Sequence, residues 1–330
     1  MLSVGLNPYG LAYTLGLQGR GTPRTNPEGG GLEGFIAIAA ELGARTLEIY
    51  EPWLAAMDGA ALAALRDRLA ALGMEPVVSG GLMIGPVDRA IGIAVALGAR
   101  TVRLGLTTVL CGDRAALGVE WPALVGQVRH ALRAAAPRAG EAGVTLAIEN
   151  HQDFGSAELV AFCEEAGPAV GICYDTGNSF PVAEAPLDFT RVVAPRVAHV
   201  HLKDYRVQFT DEGYRLVRCA IGDGAVPIAA ISALLAEHRP RLTAVLEPGA
   251  LEARHVRLLT PGWWHGYPPK TAESLAACLA AARHRRLAEE ADYRTPWEKG
   301  EDGALVAYEM DMIRKSAANM AELGLMEKTQ

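Results

Sequence analysis

Short apolar runs alternate along most of the chain with longer segments in which leucine and alanine recur at helical spacing. Eight of the runs are five or six residues long and rich in Val, Ile and Leu, which predicts strands buried on both faces. The amphipathic segments between them predict helices. The predicted strands span residues 2–7, 46–50, 75–79, 101–106, 144–149, 169–174, 197–202 and 242–247. Helices are predicted, among other places, over residues 32–43, 58–73, 85–98, 121–142, 156–167 and 227–238.

This alternation of strand and helix is typical of a parallel sheet that helices cover. Eight such units predict an α/β protein with a (β/α)₈ barrel, the TIM barrel, and a length of 330 residues suits one barrel. An internal repeat supports this fold, because residues 36–50 and 91–105 are identical at eight of fifteen positions. The offset of 55 residues corresponds to two strand–helix units.

All eight predicted strands lie within residues 1–250, so we assign the catalytic barrel domain to that range. Residues 251–330 form a C-terminal extension with predicted helices near 270–291 and 303–323 and a loop between them. We expect the extension to pack on the barrel, as a lid over the active-site mouth, as an oligomer contact, or as both. A homo-oligomer is therefore one expected arrangement.

Charge and composition narrow the function classes. The formal net charge is -7, whereas dedicated nucleic-acid binders carry a basic excess, so we expect no nucleic-acid partner. No apolar run approaches the roughly 20 residues of a membrane span, so we expect no membrane association. The N-terminal MLSVGLNPYG lacks the features of a secretion signal, and the five cysteines show no CxxC spacing. Both observations favour a cytoplasmic protein.

Candidate metal ligands stand at the ends of the last four predicted strands: Glu149, Asp175, His201 and Glu247. In such a barrel the carboxyl ends of the strands surround the active site. Neighbouring strands lie about 4.8 Å apart, so side chains at consecutive strand ends can meet around one ion. Three carboxylates and one imidazole suit Mn²⁺ or Mg²⁺, which would polarise a substrate carbonyl. Singly, each acid could instead be a helix cap or a solvated loop residue, but matching positions on four strands favour a shared metal site.

Residues next to this cluster are candidates for substrate contacts. Because side chains two positions apart on a strand share a face, His151 points the same way as Glu149, and Lys203 the same way as His201. We expect His151 and Lys203 to contact sugar hydroxyls or a carboxylate, with a loop histidine and a surface lysine as the alternative. By the same alternation His199 lies one layer deeper, which favours a structural role.

Further basic residues could favour an acidic substrate. Arg206 follows the seventh strand, Arg218 lies in the predicted loop RCAIGDG, and His255 lies shortly after Glu247, between two arginines. Basic side chains at these places would bind a carboxylate or phosphate. The alternative for His255 and its neighbours is that they decorate a helix surface.

The segments IENH, YDTGN, HVHLKD and LEPG, in this order, resemble the xylose isomerase-like TIM-barrel superfamily, also called the sugar phosphate isomerase/epimerase family. The resemblance covers roughly residues 1–250, and its relatives include ketose 3-epimerases and inosose dehydratases. It implies one divalent ion, with Mn²⁺ as first choice and Mg²⁺ or Co²⁺ as alternatives, held by Glu149, Asp175, His201 and Glu247. It also implies that the two glutamates exchange the substrate proton.

The resemblance implies a metal-dependent isomerase or epimerase that acts on a small sugar or sugar acid through a metal-stabilised enediolate. The alternative is a lyase, a decarboxylase or dehydratase of an oxo-sugar acid or inosose, which uses the same enolate chemistry. A non-catalytic binding protein is disfavoured, because a binder has no need of two proton-transferring glutamates. Ketose epimerases and endonuclease IV-type relatives carry a histidine where this chain has Asn178. We therefore expect Asn178 to make a different substrate contact, and DNA repair is disfavoured.

Overall fold

Eight parallel strands form a closed barrel at the centre of the computed structural model, which describes residues 2–83 and 85–326. In chain order the strands of this part are β1 (Leu2–Leu6), β2 (Thr46–Tyr50), β3 (Glu75–Gly81), β4 (Thr101–Gly105), β5 (Thr145–Glu149), β6 (Val170–Asp175), β7 (Val197–Leu202), β8 (Tyr205–Thr210), β9 (Gly213–Arg218), β10 (Leu242–Leu246) and β11 (Arg254–Val256). Strands β1 to β7 and β10 make the barrel, which closes where β10 pairs with β1. The predicted (β/α)₈ barrel is confirmed.

Helices surround the barrel strands. They are α1 (Gly31–Glu41), α2 (Glu51–Leu54), α3 (Gly59–Ala71), α4 (Val87–Leu97), α5 (Trp121–Glu141), α6 (Ser156–Ala166), α7 (Pro186–Val193), α8 (Ile228–His238), α9 (Ala272–Ala282), α10 (Pro296–Lys299) and α11 (Leu305–Glu322). The six helices predicted between the barrel strands are present, with ends within two residues of the prediction. None of the helices in residues 2–83 and 85–326 combines the length and the apolar composition needed to span a lipid bilayer.

The barrel interior is polar near its carboxyl end, although most buried side chains are apolar. In β2, Leu47 and Ile49 share one face, while Glu48 between them faces the interior and is fully buried. Arg103 of β4 and His199 of β7 also face inward, and both contact the Glu48 carboxylate. The fold therefore buries a polar layer directly beneath the strand ends of the predicted site.

A separate three-stranded antiparallel sheet, which we call the small sheet, consists of β8, β9 and β11. This sheet was not predicted from the sequence, and the predicted loop at Arg218 is wrong there, because Arg218 is the last residue of β9. A signal was present: YRVQFT alternates apolar and polar residues, and a tight turn at Asp211 and Glu212 joins it to the second short run, GYRLVR. Strand β11 then pairs with β9, with Arg254 opposite Leu216.

The helix predicted near 270–291 ends at Ala282 instead. The chain beyond it runs along the edge of β8, where the Leu287 amide donates to the Val207 carbonyl at 2.8 Å. The side-chain amide of Gln208 also donates to main-chain oxygens of this segment, at 2.8 Å for Glu289. These tertiary hydrogen bonds replace the helix, and the short helix α10 forms within the predicted loop.

Helix α11 of the C-terminal extension lies against the segment that follows β1. The Glu309 carboxylate accepts hydrogen bonds from the amides of Tyr13 at 3.0 Å and Thr14 at 2.8 Å. Further along the helix, Ser316 Oγ accepts a hydrogen bond from the Ile221 amide at 3.0 Å. The extension is thus joined to both the start and the end of the barrel sequence.

Candidate metal centre

The four residues predicted as metal ligands converge at the carboxyl end of the barrel. Glu149 ends β5, Asp175 ends β6, His201 lies near the end of β7, and Glu247 directly follows β10. One ligand atom from each lies within 4.8 Å of the other three. Asp175 and His201 are opposite one another in the parallel ladder, which places them at the same height. All four are buried, so the convergence forms an enclosed site with three acids.

The orientation of His201 leaves one ring nitrogen for an ion. Its Nε2 lies 2.6 Å from Glu48 Oε2, so this nitrogen donates to the carboxylate. Its Nδ1 lies 2.8 Å from Glu247 Oε2 and 3.3 Å from Glu149 Oε1. Burial opposes protonation of the ring, but the neighbouring Cys173, Glu48 and Glu149 raise the pKa of His201 well above its usual range, so without an ion Nδ1 carries a proton. This buried Nδ1 has no hydrogen-bond partner among the described residues. A cation bound there would displace this proton and be held by Nδ1 and the carboxylate oxygens, so the residues fit a divalent metal ion.

The carboxylates around this point are held by fixed donors. The two carboxylate oxygens of Glu247 have different partners: Oε1 lies 2.9 Å from the Lys203 ammonium, and Oε2 faces His201. Asp175 accepts hydrogen bonds from the Gly177 amide at 3.0 Å and from Asn178 Nδ2 at 2.6 Å. These contacts fix the carboxylates in place before any ion binds, which is the arrangement expected of a preorganised site.

The pKa values of the acids reflect this crowding. Burial opposes ionisation of Glu149, but the Arg103 guanidinium and His201 outweigh it and lower its pKa to about 2. Burial likewise opposes ionisation of Glu247, yet Lys203 and His201 hold its pKa well below the usual range. Burial raises the pKa of Asp175 to about 6, since Lys203 offsets burial only in part and two other carboxylates lie nearby. A bound cation would remove this cost.

Glu48 and Arg103 are positioning residues that the sequence analysis did not identify. Arg103 Nε lies 3.1 Å from Glu48 Oε1, and its Nη1 lies 3.5 Å from Glu149. Because Glu48 also accepts from His201, it orients a candidate metal ligand while Arg103 neutralises the charge of Glu48. The sequence contains a sign of this role: Glu48 and Arg103 are charged residues in the middle of the apolar strands β2 and β4, at equivalent positions of the internal repeat.

His199 lies one layer below the four ligands and has both ring nitrogens in hydrogen bonds. Its Nδ1 lies 2.7 Å from Thr243 Oγ1, and its Nε2 lies 3.0 Å from Glu48 Oε2. His199, His201 and Cys173 also lie close enough to form a second group of ligands. Because neither nitrogen of His199 is free, we interpret it as a structural residue.

A cavity of about 480 Å³ opens onto the cluster and is large enough for a small sugar. Glu149 and Glu247 reach its wall, whereas the other two ligands are fully buried behind them. Tyr9 and Tyr50 supply aromatic surface, and their rings pack edge to face at 6.1 Å. The two glutamates are therefore the ligands that a molecule in the cavity can touch.

Of the six residues predicted to contact substrate, His151 and Arg218 line the cavity. Two others lie behind the metal ligands, where they are fully buried: Lys203 contacts Asp175 and Glu247, and Asn178 contacts Asp175. Strand alternation correctly predicted that Lys203 points the same way as His201, but it did not predict that Lys203 is buried behind the acidic cluster. The expected substrate contacts of Lys203 and Asn178 are therefore corrected: both contact candidate metal ligands and neither lines the cavity.

Arg206 and His255 lie away from the cavity, because both belong to the small sheet and point to its other side. Arg206 is exposed between the buried Tyr205 and Val207. His255 has its Nε2 3.0 Å from Thr210 Oγ1, whereas its neighbour Arg254 lines the cavity. The predicted substrate contacts of Arg206 and His255 are corrected accordingly. Arg254, one of the two arginines beside His255 that the sequence offered as binding a carboxylate or phosphate, lines the cavity.

A family model described as xylose isomerase-like TIM barrel matches residues 36–259, which is more than half of the chain. The chain belongs to the xylose isomerase-like TIM-barrel family. It is an enzyme family that includes epimerases, isomerases and lyases. Membership agrees with the closed barrel and with the acid and histidine cluster at the strand ends.

Individual relatives in the family are distant. The chain is 26% identical over 200 residues to the uncharacterised Escherichia coli K12 protein YihM, covering 57% of this chain and only 56% of that protein. It is 24% identical over 270 residues to 3-oxo-isoapionate decarboxylase from Pectobacterium atrosepticum, covering 79% of this chain and 92% of the relative. The structure of D-allulose 3-epimerase from Methylomonas sp. superposes with a TM-score of 0.54 at 15% identity, covering 98% of both chains. The structural likeness supports the fold.

Lys203 gives a test of cation binding that is independent of activity. Changing Lys203 to Met leaves Asp175 and Glu247 buried without their counter-charge, which should lower the free energy of unfolding by about 3–5 kcal/mol. Added Mn²⁺ should then raise the Tm of the variant more than that of the wild type, because the ion replaces the lost charge. The control is Lys270→Met, which breaks an ion pair with Glu184 away from the cluster. An equal Mn²⁺-induced Tm shift in wild type and Lys203→Met, measured by thermal unfolding, would contradict the assignment.

Proposed function

We propose that the protein is a divalent-metal-dependent isomerase or epimerase of a small sugar or sugar acid, with Mn²⁺ as the first choice of metal. The observation that carries the proposal is the placement of Glu149 and Glu247. They come from β5 and β10, on either side of β6 and β7, and both reach the cavity wall beside His201 Nδ1. Two carboxylates with this access can reach a bound substrate from two directions.

The chemistry follows from what these side chains can do. One glutamate takes the proton from the carbon beside the substrate carbonyl, which leaves an enediolate. The other glutamate takes a proton from solvent water in the cavity and passes it to the enediolate, on the opposite face in an epimerase, while the first glutamate releases its proton to solvent. A bound ion would supply the electrophile that polarises the carbonyl. The low pKa of Glu149 keeps it ionised near neutral pH, as a base must be.

Other cavity residues support binding of a sugar. His151 lines the cavity beside Glu149, and burial lowers its pKa, so its neutral ring can exchange hydrogen bonds with hydroxyl groups. The ring of Tyr9 offers apolar surface for the carbon skeleton. These features suit a small carbohydrate as the partner of the site.

A lyase is the second candidate, because it begins with the same enolate chemistry. The decarboxylase from Pectobacterium atrosepticum matches over 92% of its length, and four arginines line this cavity. A decarboxylase or dehydratase of an oxo-sugar acid or inosose would lose CO₂ or water where an epimerase returns a proton.

Solvent exchange separates these functions. The protein is freed of metal with chelator, reloaded with Mn²⁺, and incubated in D₂O with ketoses, keto sugar acids and inososes. We expect deuterium to enter one carbon-bound position only when metal is present. Exchange that keeps the carbon skeleton and composition supports the isomerase or epimerase, while release of CO₂ or water supports the lyase. A lack of metal-dependent exchange or product across the panel would contradict both.

A further inference from the structure

Four arginines line the cavity, and two of them have acidic partners in the protein. Arg89 pairs with Glu51, with Nη2 3.2 Å from Oε2, and Arg103 pairs with Glu48 at 3.1 Å. Their charges are therefore compensated before any ligand binds. The other two arginines of the cavity, Arg218 and Arg254, lack such a close acidic partner among the described residues.

Arg218 is buried without a close counter-charge. Its side chain is only 4% exposed, and its nearest carboxylate oxygen, Glu247 Oε1, lies 3.8 Å away and already contacts Lys203 at 2.9 Å. Its Nη1 donates to the Pro248 carbonyl at 3.2 Å, but its Nε has no hydrogen-bond partner among the described residues. A buried guanidinium with an unused donor is costly unless a ligand supplies the acceptor.

Arg254 repeats this pattern from the neighbouring strand. Its Nε is buried and unpartnered among the described residues, and no carboxylate in residues 2–83 and 85–326 forms an ion pair with it. Arg254 lies opposite Leu216 in the β9–β11 pairing, and Leu216 and Arg218 share a face of β9. The two arginines thus point to the same side of the small sheet, as diagonal neighbours whose Cβ atoms stand roughly 7–8 Å apart. One anionic group can be reached by both.

The geometry points to an anion subsite formed by Arg218 and Arg254, which binds a carboxylate of the substrate. This inference deepens the proposed function, since it names the substrate class of the same cavity as small keto sugar acids. Arg218 lies 3.8 Å from Glu247, one of the two proton-transferring residues, so the bound anion stands close to the reacting carbons. A carboxylate on a short carbon chain fits this position, whereas the phosphate of a ketose phosphate stands several carbons away.

Equilibrium binding tests the subsite without measuring turnover. Isothermal titration of the Mn²⁺-loaded protein uses three probes: 2-keto-D-gluconate, in which the carboxylate is next to the ketone, D-fructose 6-phosphate and D-fructose. We expect the keto acid to bind about tenfold or more tighter than fructose. Arg218→Gln and Arg254→Gln should each remove most of this preference, and the double variant should remove it entirely. Arg254→Gln changes a partly exposed side chain, so it keeps the test open if Arg218→Gln folds poorly.

Arg206→Gln is the matched control, because it removes the same charge from the same small sheet on the face turned away from the cavity. Its preference for the keto acid should stay within about twofold of the wild type. The inference is overturned if no acid binds, if fructose binds as tightly as the acid, or if Arg206→Gln loses as much preference as the two cavity variants. Tighter binding of fructose 6-phosphate, lost in the cavity variants, would overturn the carboxylate and assign the subsite to phosphate.

The two proposals fail in different ways. If the arginine variants lose their preference for the acid while no probe exchanges deuterium, the subsite stands and the proposed function falls. If neutral ketoses exchange deuterium and no preference for acids exists, the function stands and the subsite falls.

Discussion

Replacing Glu149 or Glu247 by glutamine should lower the rate of substrate isomerisation or epimerisation by about 10²–10⁴-fold, the usual contribution of a positioned acid or base. Glutamine keeps the size of the side chain and one oxygen that can bind a metal, but it cannot accept the substrate proton. Since both glutamates line the cavity and flank His201, loss of either interrupts proton transfer. The measurement is the rate of product formation with Mn²⁺ at saturation.

Deuterium exchange sharpens this expectation for an epimerase. With one glutamate intact, one epimer should still exchange its proton with solvent although conversion to the other epimer has stopped. Glu212→Gln is the control, since this carboxylate is exposed at the tip of the β8–β9 hairpin. Metal content must be measured in parallel. Variants that keep the metal and convert substrate at nearly the wild-type rate would refute the assigned roles.

Replacing Glu48 by glutamine should lower the stability of the protein and its affinity for metal together. The change removes the counter-charge of Arg103 and the acceptor that orients His201, and the side chains of Glu48 and His201 are fully buried. Breaking a buried ion pair by removing one partner costs about 3–5 kcal/mol of unfolding free energy. The affinity for Mn²⁺ should fall by about 10–100-fold, as when other residues that orient metal ligands are lost.

Chemical denaturation and metal titration of the same samples measure both effects. Glu33→Gln is the control for stability, because it removes one partner of an exposed ion pair with Arg68 and should change little. The double variant Glu48→Gln/Arg103→Met should recover part of the lost stability, since no buried charge is then left at Arg103 without Glu48. A Glu48→Gln protein with unchanged stability and Mn²⁺ affinity would show that the interior contact has no such role.

The barrel and the convergence of the four ligands could be predicted from the sequence, because both depend on periodicity. Each ligand ends a short apolar run, and parallel strands bring such ends to one edge of the barrel. The regular spacing of Glu149, Asp175 and His201, 26 residues apart, reflects one strand–helix unit each. Local pattern and global fold agree at these positions.

Contacts across the barrel interior and within the small sheet could not be predicted in the same way. The pairing of Glu48 with Arg103 depends on barrel closure, and a charged residue within an apolar strand does not name its partner. For Lys203, the alternation along the strand predicts the direction of the side chain, but its burial depends on which other segments of the chain cover it. The predicted substrate contacts of Arg206 and His255 were wrong because the strands of the small sheet, β8, β9 and β11, were not predicted.

The central claim is that Glu149, Asp175, His201 and Glu247 bind one divalent cation. Calorimetric titration of chelator-treated protein with Mn²⁺, checked by elemental analysis, tests it most directly. We predict one equivalent of Mn²⁺ per chain for the wild type and no binding at this site for the double variant Asp175→Ala/His201→Ala. Full metal content in that folded double variant, or no binding by the wild type, would contradict the account.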